Sequence, residues 1–176
     1  MNKQFLWKMI ALCIIFAFAG CASGPSAKVQ TSNPKIQRVS NEYFKAEIEP
    51  LLNKDGKFYN AFHFSVTNKT SADLYIEWNH TYYLLNGKKQ GLFFWDGIDW
   101  EALKKAKEHP LVKVAAGITH TVEIFPQKLA GRNMKPSASN ERYLRGFMPA
   151  GENGVLLTVK KGDKLIKEKL TVLIKE

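Results

Sequence analysis

The sequence has very little cysteine, with Cys13 and Cys21 the only two in 176 residues. Both lie within the first 21 residues, so the rest of the chain has no thiol. A disulfide bond, a cysteine nucleophile and a cysteine-ligated metal are therefore excluded there. The fold must be stabilised by its apolar core, for which 11 Phe, 6 Tyr and 4 Trp provide large side chains.

Long hydrophobic runs are also missing. The run MIALCIIFAFA occupies residues 9–19. It is too short for a helix that must cross roughly 30 Å of hydrocarbon. It follows Lys3 and Lys8, and an apolar run of this length behind positive charges is typical of a secretory signal peptide.

Sequence motifs of enzymes and metal sites are absent. There is no G-x-S-x-G, H-E-x-x-H or P-loop pattern. Asp96 and Asp99 are close in sequence but occupy positions typical of a turn and a helix cap. His63 and His120 could face each other on neighbouring strands, although single strand histidines are usually polar surface residues. We therefore predict no enzyme, no metal site and no cofactor.

Acidic residues are scarce relative to basic ones, at 16 against 26, and the formal net charge is +10. Such a surface favours anionic partners. Arginines in the segment 126–152 are candidate binding residues, namely Arg132, Arg142 and Arg145. An exported chain does not meet nucleic acid, so we expect anionic lipid, an acidic envelope protein or a glycan as partner.

The stretch FAGC at residues 18–21 resembles the lipobox of bacterial lipoproteins, with Phe18 where that family usually has Leu. The resemblance implies cleavage before Cys21, which carries acyl chains that hold the protein to a membrane. Ala22 in place of an Asp implies, by analogy, the outer membrane, with the domain facing the periplasm. We predict a signal peptide at 1–20, a lipidated tether at 21–41 and a folded domain at 42–176.

The predicted domain has the pattern of an all-β protein. In FYNAFHFSVTN, residues 58–68, Phe62, Phe64 and Val66 alternate with polar residues, as in a half-buried strand. The dipeptide Asn86-Gly87 predicts a hairpin turn between 81–85 and 88–95, and residues 155–174 predict a second hairpin. Seven or eight such strands predict an antiparallel β-sandwich with one short helix at 99–109 and one long loop at 126–152.

The stretch FHFSVTNKTSADLYIEW, residues 62–78, resembles the strand–turn–strand step of immunoglobulin-like modules in exported bacterial proteins. This resemblance implies an immunoglobulin-like sandwich. The family members it resembles are uncharacterised lipoproteins, so it implies little about function.

The aromatic stretch GLFFWDGIDW, residues 91–100, allows two interpretations. In the first, a helix at 99–109 folds back and covers Phe93 and Trp95, using Trp100 and Leu103 as anchors. In the second, Trp95 and Trp100 form an exposed platform for a sugar ring. We favour packing, because aromatic side chains usually bury their large surfaces in cores.

Two function classes follow from these patterns. The first is a lipid-anchored, non-catalytic interaction module of the cell envelope, which binds through a sandwich face and the 126–152 loop. The alternative is a module that binds a glycan or cell-wall polymer through the aromatic cluster 93–100.

The lipobox leads to a prediction about membrane retention. Replacing Cys21 by Ser removes the sulfur that would carry the acyl chains, and two or more chains make anchoring stable. We expect the variant Cys21→Ser to be soluble after export or to remain unprocessed, as measured by membrane fractionation. A leader-cleaved Cys21→Ser protein that stays in the membrane fraction would contradict the prediction.

Overall fold

A computed structural model describes residues 29–95, 109–132 and 143–176. This part of the chain is almost entirely antiparallel β-structure, with short 3-10 turns at Trp78–His80 and Gln127–Leu129. The strands are β1 (Thr31–Asn33), β2 (Gln37–Ser40), β3 (Phe44–Leu52), β4 (Tyr59–Asn68), β5 (Leu74–Ile76), β6 (Tyr82–Leu85), β7 (Lys88–Gly91), β8 (Phe93–Trp95), β9 (Val112–Val114), β10 (Thr119–Pro126), β11 (Ala130–Arg132), β12 (Tyr143–Arg145), β13 (Gly151–Lys161) and β14 (Lys164–Lys175).

Most of these strands belong to two sheets. Sheet A has the order β1-β14-β13-β5-β9, and β6 pairs with the first half of β13 and with β7. Sheet B has the order β2-β3-β4-β10-β8. Strands β11 and β12 form a separate two-stranded ribbon. The long hairpin β13–β14 forms the centre of sheet A, and β3, β4 and β10 form the centre of sheet B.

The core lies between the two sheets and is rich in aromatic rings. Phe64 of β4 contacts Trp78 at a centroid distance of 5.7 Å, and Phe93 of β8 meets Tyr83 of β6 edge-on at 6.0 Å. On β4, Phe62, Phe64 and Val66 are fully buried, whereas His63 is exposed. The predicted alternation, and with it the all-β sandwich, is confirmed.

The fold begins earlier than predicted. Strands β1 and β2 lie inside the segment 21–41 that we expected to be a tether, so that prediction is wrong from residue 31 onward. β1 pairs with β14 and β2 pairs with β3. Their sequences are polar and lack the apolar alternation that indicates a strand. Both are edge strands, which are held by backbone hydrogen bonds more than by an apolar face.

The predicted strand 88–95 divides into two. β7 pairs with β6 in sheet A, whereas β8 pairs with β10 in sheet B, so the chain crosses between the sheets at Leu92. Gly91 precedes the crossing with a φ of 127°, a conformation that other residues rarely adopt. This crossing lets Phe93 point into the core while Phe94, on the opposite face, contacts Phe125.

The predicted loop 126–152 is also partly wrong. It contains the 3-10 turn, β11, β12 and the first residues of β13. Most of the predicted helix 99–109 lies outside the described residues, although His109 is described and is not helical.

The buried core leads to a prediction about the removal of one central aromatic ring. Phe64→Ala should lower the free energy of unfolding by roughly 3–5 kcal/mol, because the fully buried ring leaves a cavity between the sheets. The control His63→Ala, on the exposed face of the same strand, should change it by less than about 0.5 kcal/mol. Urea unfolding followed by fluorescence measures both, and similar losses would contradict the assignment of faces.

Candidate functional site

A cleft of about 620 Å³ opens at one end of the sandwich, between the β3–β4 hairpin and β12. We call it the hairpin cleft. Its walls include Leu52, Lys54, Glu123, Leu144, Arg145 and Phe147. A smaller cleft of about 290 Å³ shares Leu51 and Leu52 with it and extends to Lys35 and Tyr59.

The β3–β4 turn that forms one wall is closed by a single side chain. The Asn53 amide oxygen accepts hydrogen bonds from the backbone N–H groups of Lys57 at 3.0 Å and Phe58 at 3.1 Å. The Gly56 N–H donates to the Asn53 carbonyl at 2.8 Å, with a φ of +66° at Gly56. An Asn side chain that satisfies turn N–H groups is a common way to fix such a loop, so this wall is rigidly placed.

The opposite wall is held by contacts to the turn after β10 and to β4. The Gly146 N–H donates to the Leu129 carbonyl at 2.7 Å. A Cβ at Gly146 would lie 2.3 Å from that oxygen, so a larger residue would push the wall outward. Phe147 stacks on Phe58 at a centroid distance of 4.7 Å, which joins the two walls.

The cleft combines exposed apolar side chains with an ion pair. Leu144 is 57% exposed and Phe147 is 51% exposed, which are high values for large apolar residues. Between them Arg145 donates from Nη1 to the Glu123 carboxylate at 2.9 Å, and its guanidinium lies 4.8 Å from the Phe125 ring centre. Such a surface is suited to a ligand that has both apolar and charged parts.

The amino-terminal end of the described chain is fixed beside this cleft by Gln30. Its backbone N–H donates to the Lys57 carbonyl at 2.8 Å. Its side chain accepts from the Tyr59 N–H at 2.9 Å and donates to the Met148 carbonyl at 3.1 Å. Gln30 is 3% exposed, whereas the preceding Val29 is 50% exposed. Gln30 therefore contacts both segments that form the cleft walls, the β3–β4 turn and the segment after β12.

The structure brings one of the predicted binding residues into the cleft. Arg145 lines it, and Arg132 pairs through its backbone with Tyr143 in the β11–β12 ribbon. Arg142 and Trp100 lie outside the described residues. Sequence reasoning missed Leu144 and Phe147, although two large apolar residues in a basic segment rich in Gly and Pro were a signal for them.

Trp95 belongs to a different region and is mainly a packing residue. Its ring stacks on buried Trp78 at 4.7 Å and 21°, and it lies 5.8 Å from the ring of His109. Burial lowers the pKa of His109, which favours the neutral form of its imidazole. Phe93 and Phe94 are 1% and 2% exposed, which confirms packing for these two rings. The facing sheet and its 3-10 turn provide Tyr83 and Trp78 as neighbours. Most of the helix that we expected to cover Phe93 and Trp95 lies outside the described residues.

Within 29–95, 109–132 and 143–176, no helix is both long and apolar enough to cross a membrane. The same residues include no cluster of three or more His, Cys, Asp or Glu side chains arranged for a metal ion. Comparison with protein-family models and with curated protein sequences gave no match.

The Trp95 stack leads to a prediction that separates packing from glycan binding. Trp95→Ala should lower the free energy of unfolding by about 1.5–2.5 kcal/mol, less than for a fully buried ring, because Trp95 is half-buried. Trp95→Phe should retain most of the stability. Thermal unfolding measures both variants. Unchanged stability with a loss of binding to peptidoglycan would instead identify Trp95 as a sugar platform.

Proposed function

We propose that this protein is a lipid-anchored, non-catalytic interaction module of the bacterial cell envelope. Acyl chains on Cys21 hold it to the outer membrane, the domain faces the periplasm, and the hairpin cleft binds another envelope component. The resemblance to immunoglobulin-like lipoprotein modules remains a prediction.

The observation that carries the proposal is the exposed apolar rim of the cleft around an ion pair. Burial of an apolar side chain contributes roughly 25 cal/mol for each Å² removed from water. Leu144, Phe147 and Leu52 are each more than 40% exposed at one cleft, so a component that covers them gains free energy by removing their apolar surface from water. Arg145 and Glu123 provide the polar groups that orient a bound component.

The position of the cleft also supports a role at a membrane. Eight residue steps separate Cys21 from Val29, and at roughly 3.5 Å per residue they span about 28 Å at most. The early start of the fold at β1 shortens the tether by about ten residues relative to the sequence prediction. The cleft therefore stays within a short distance of the acyl chains.

The glycan alternative has weaker support. A sugar ring needs an open aromatic face, and one face of Trp95 is occupied by Trp78. Trp95 is only half-buried, so part of its side chain can still contact a sugar and the alternative can be tested.

Site-specific photo-crosslinking tests the proposed binding site. A photoreactive residue at position 144 should give discrete adducts with an envelope component in living cells, because this side chain projects from the cleft. The control is position 118, because Ile118 is also 57% exposed but lies at the other end of the sandwich, where its carbonyl accepts from the Asn68 N–H. Equal labelling at the two positions would contradict a specific site at the cleft.

A further inference from the structure

We propose that the component bound at the hairpin cleft is the lipid surface itself, so that this end of the sandwich lies against the membrane and meets anionic phospholipid headgroups. This inference rests on the proposed lipidation of Cys21.

The first support is the place in the fold at which the described chain begins. Gln30 is fixed by three hydrogen bonds to the β3–β4 turn, the start of β4 and Met148. The acylated residue precedes it by nine positions. A tether attached at this end brings the end close to the bilayer, and a short tether creates a high effective concentration of lipid next to it.

The second support is the distribution of exposed apolar side chains. Leu52, Leu144 and Phe147 line the hairpin cleft, and Phe147 precedes Met148, whose carbonyl accepts from Gln30. These three side chains and Val29 are each between 42% and 57% exposed. Leu and Phe side chains that project from a folded surface insert readily at the boundary between headgroups and acyl chains. A set of this kind around the tether adds a second contact to the one made by the lipid anchor.

The third support is the arrangement of charge around the rim. Lys35, Lys54 and Lys57 are exposed beside the two clefts. The nearby acids are Glu49, Asp55 and Glu123, and Glu123 is paired with Arg145. Lysines in this position can extend their apolar stems along the rim while their ammonium groups reach lipid phosphates. Each basic residue close to an anionic surface adds a modest attraction that decreases with salt.

The sequence permits a clean test, because Cys21 is acylated and Cys13 leaves with the signal peptide under the proposed processing. A single new cysteine is then the one free thiol for an environment-sensitive fluorophore. The lipidated protein is reconstituted into vesicles of phosphatidylethanolamine and phosphatidylglycerol that contain spin-labelled lipid. Leu144→Cys and Phe147→Cys probe the rim, and Ile118→Cys is the control with the same exposure as Leu144.

We expect the labels at 144 and 147 to shift their emission to the blue and to be quenched by spin-labelled lipid several-fold more than the label at 118. Quenching should decrease in high salt and in vesicles of phosphatidylcholine alone. Equal quenching at all three positions would overturn the proposed orientation. Quenching that is the same in both lipids would remove the anionic headgroup from the proposal.

Vesicle flotation separates this inference from the proposed function. A protein that floats with the vesicles while its labels at 144 and 147 remain unquenched keeps its anchor but refutes membrane contact. Blue-shifted emission that needs added envelope protein would identify a protein as the occupant. A processed chain that does not float would overturn both proposals. Leu52→Cys, on the opposite wall, replaces either rim variant if that variant unfolds at a lower temperature than the unsubstituted chain.

Discussion

The face-to-face packing of two sheets through aromatic rings is the constraint on which the rest of the structure depends. Beyond Cys21 the chain has no cysteine, so no disulfide bond contributes to the stability of the domain. Two ring contacts cross the core between the sheets. Phe64 of β4 packs against Trp78, and Phe93 of β8 packs against Tyr83 of β6. Because these rings fix β4 and β8 relative to β6, they also fix the ends of the strands from which the hairpin cleft is built.

The cleft arises where three separate parts of the chain meet at one end of this sandwich. The β3–β4 turn is closed by Asn53, the segment after β12 is held by Gly146 and Phe147, and the amino-terminal entry is fixed by Gln30. Large apolar side chains remain exposed at this cleft, although adjacent apolar residues of the chain are buried in the core. The lipid anchor that we propose a few residues upstream gives these exposed side chains a physical use, which is contact with the membrane surface that the anchor holds nearby.

Local patterns predicted much of the fold. The alternation of Phe62, Phe64 and Val66 and the Asn86-Gly87 turn, with φ values of 50° and 75°, are properties of adjacent residues. Strand β1 was missed because its stability comes from β14, more than 130 residues away in sequence. The pairing of Arg145 with Glu123 likewise depends on tertiary structure, so the sequence predicted the arginine as a binding residue but could not predict the cleft around it.

The central claim is that this sandwich works at a membrane surface through an anchor at Cys21, close to the end that carries the cleft. Mass spectrometry of the amino-terminal fragment, isolated from native envelopes, tests it most directly. The account predicts a mature chain that begins at Cys21, with a diacylglyceryl group on its sulfur and an acyl chain on its amino group. A mature chain with an unmodified Cys21, or one that begins at another residue, would contradict it.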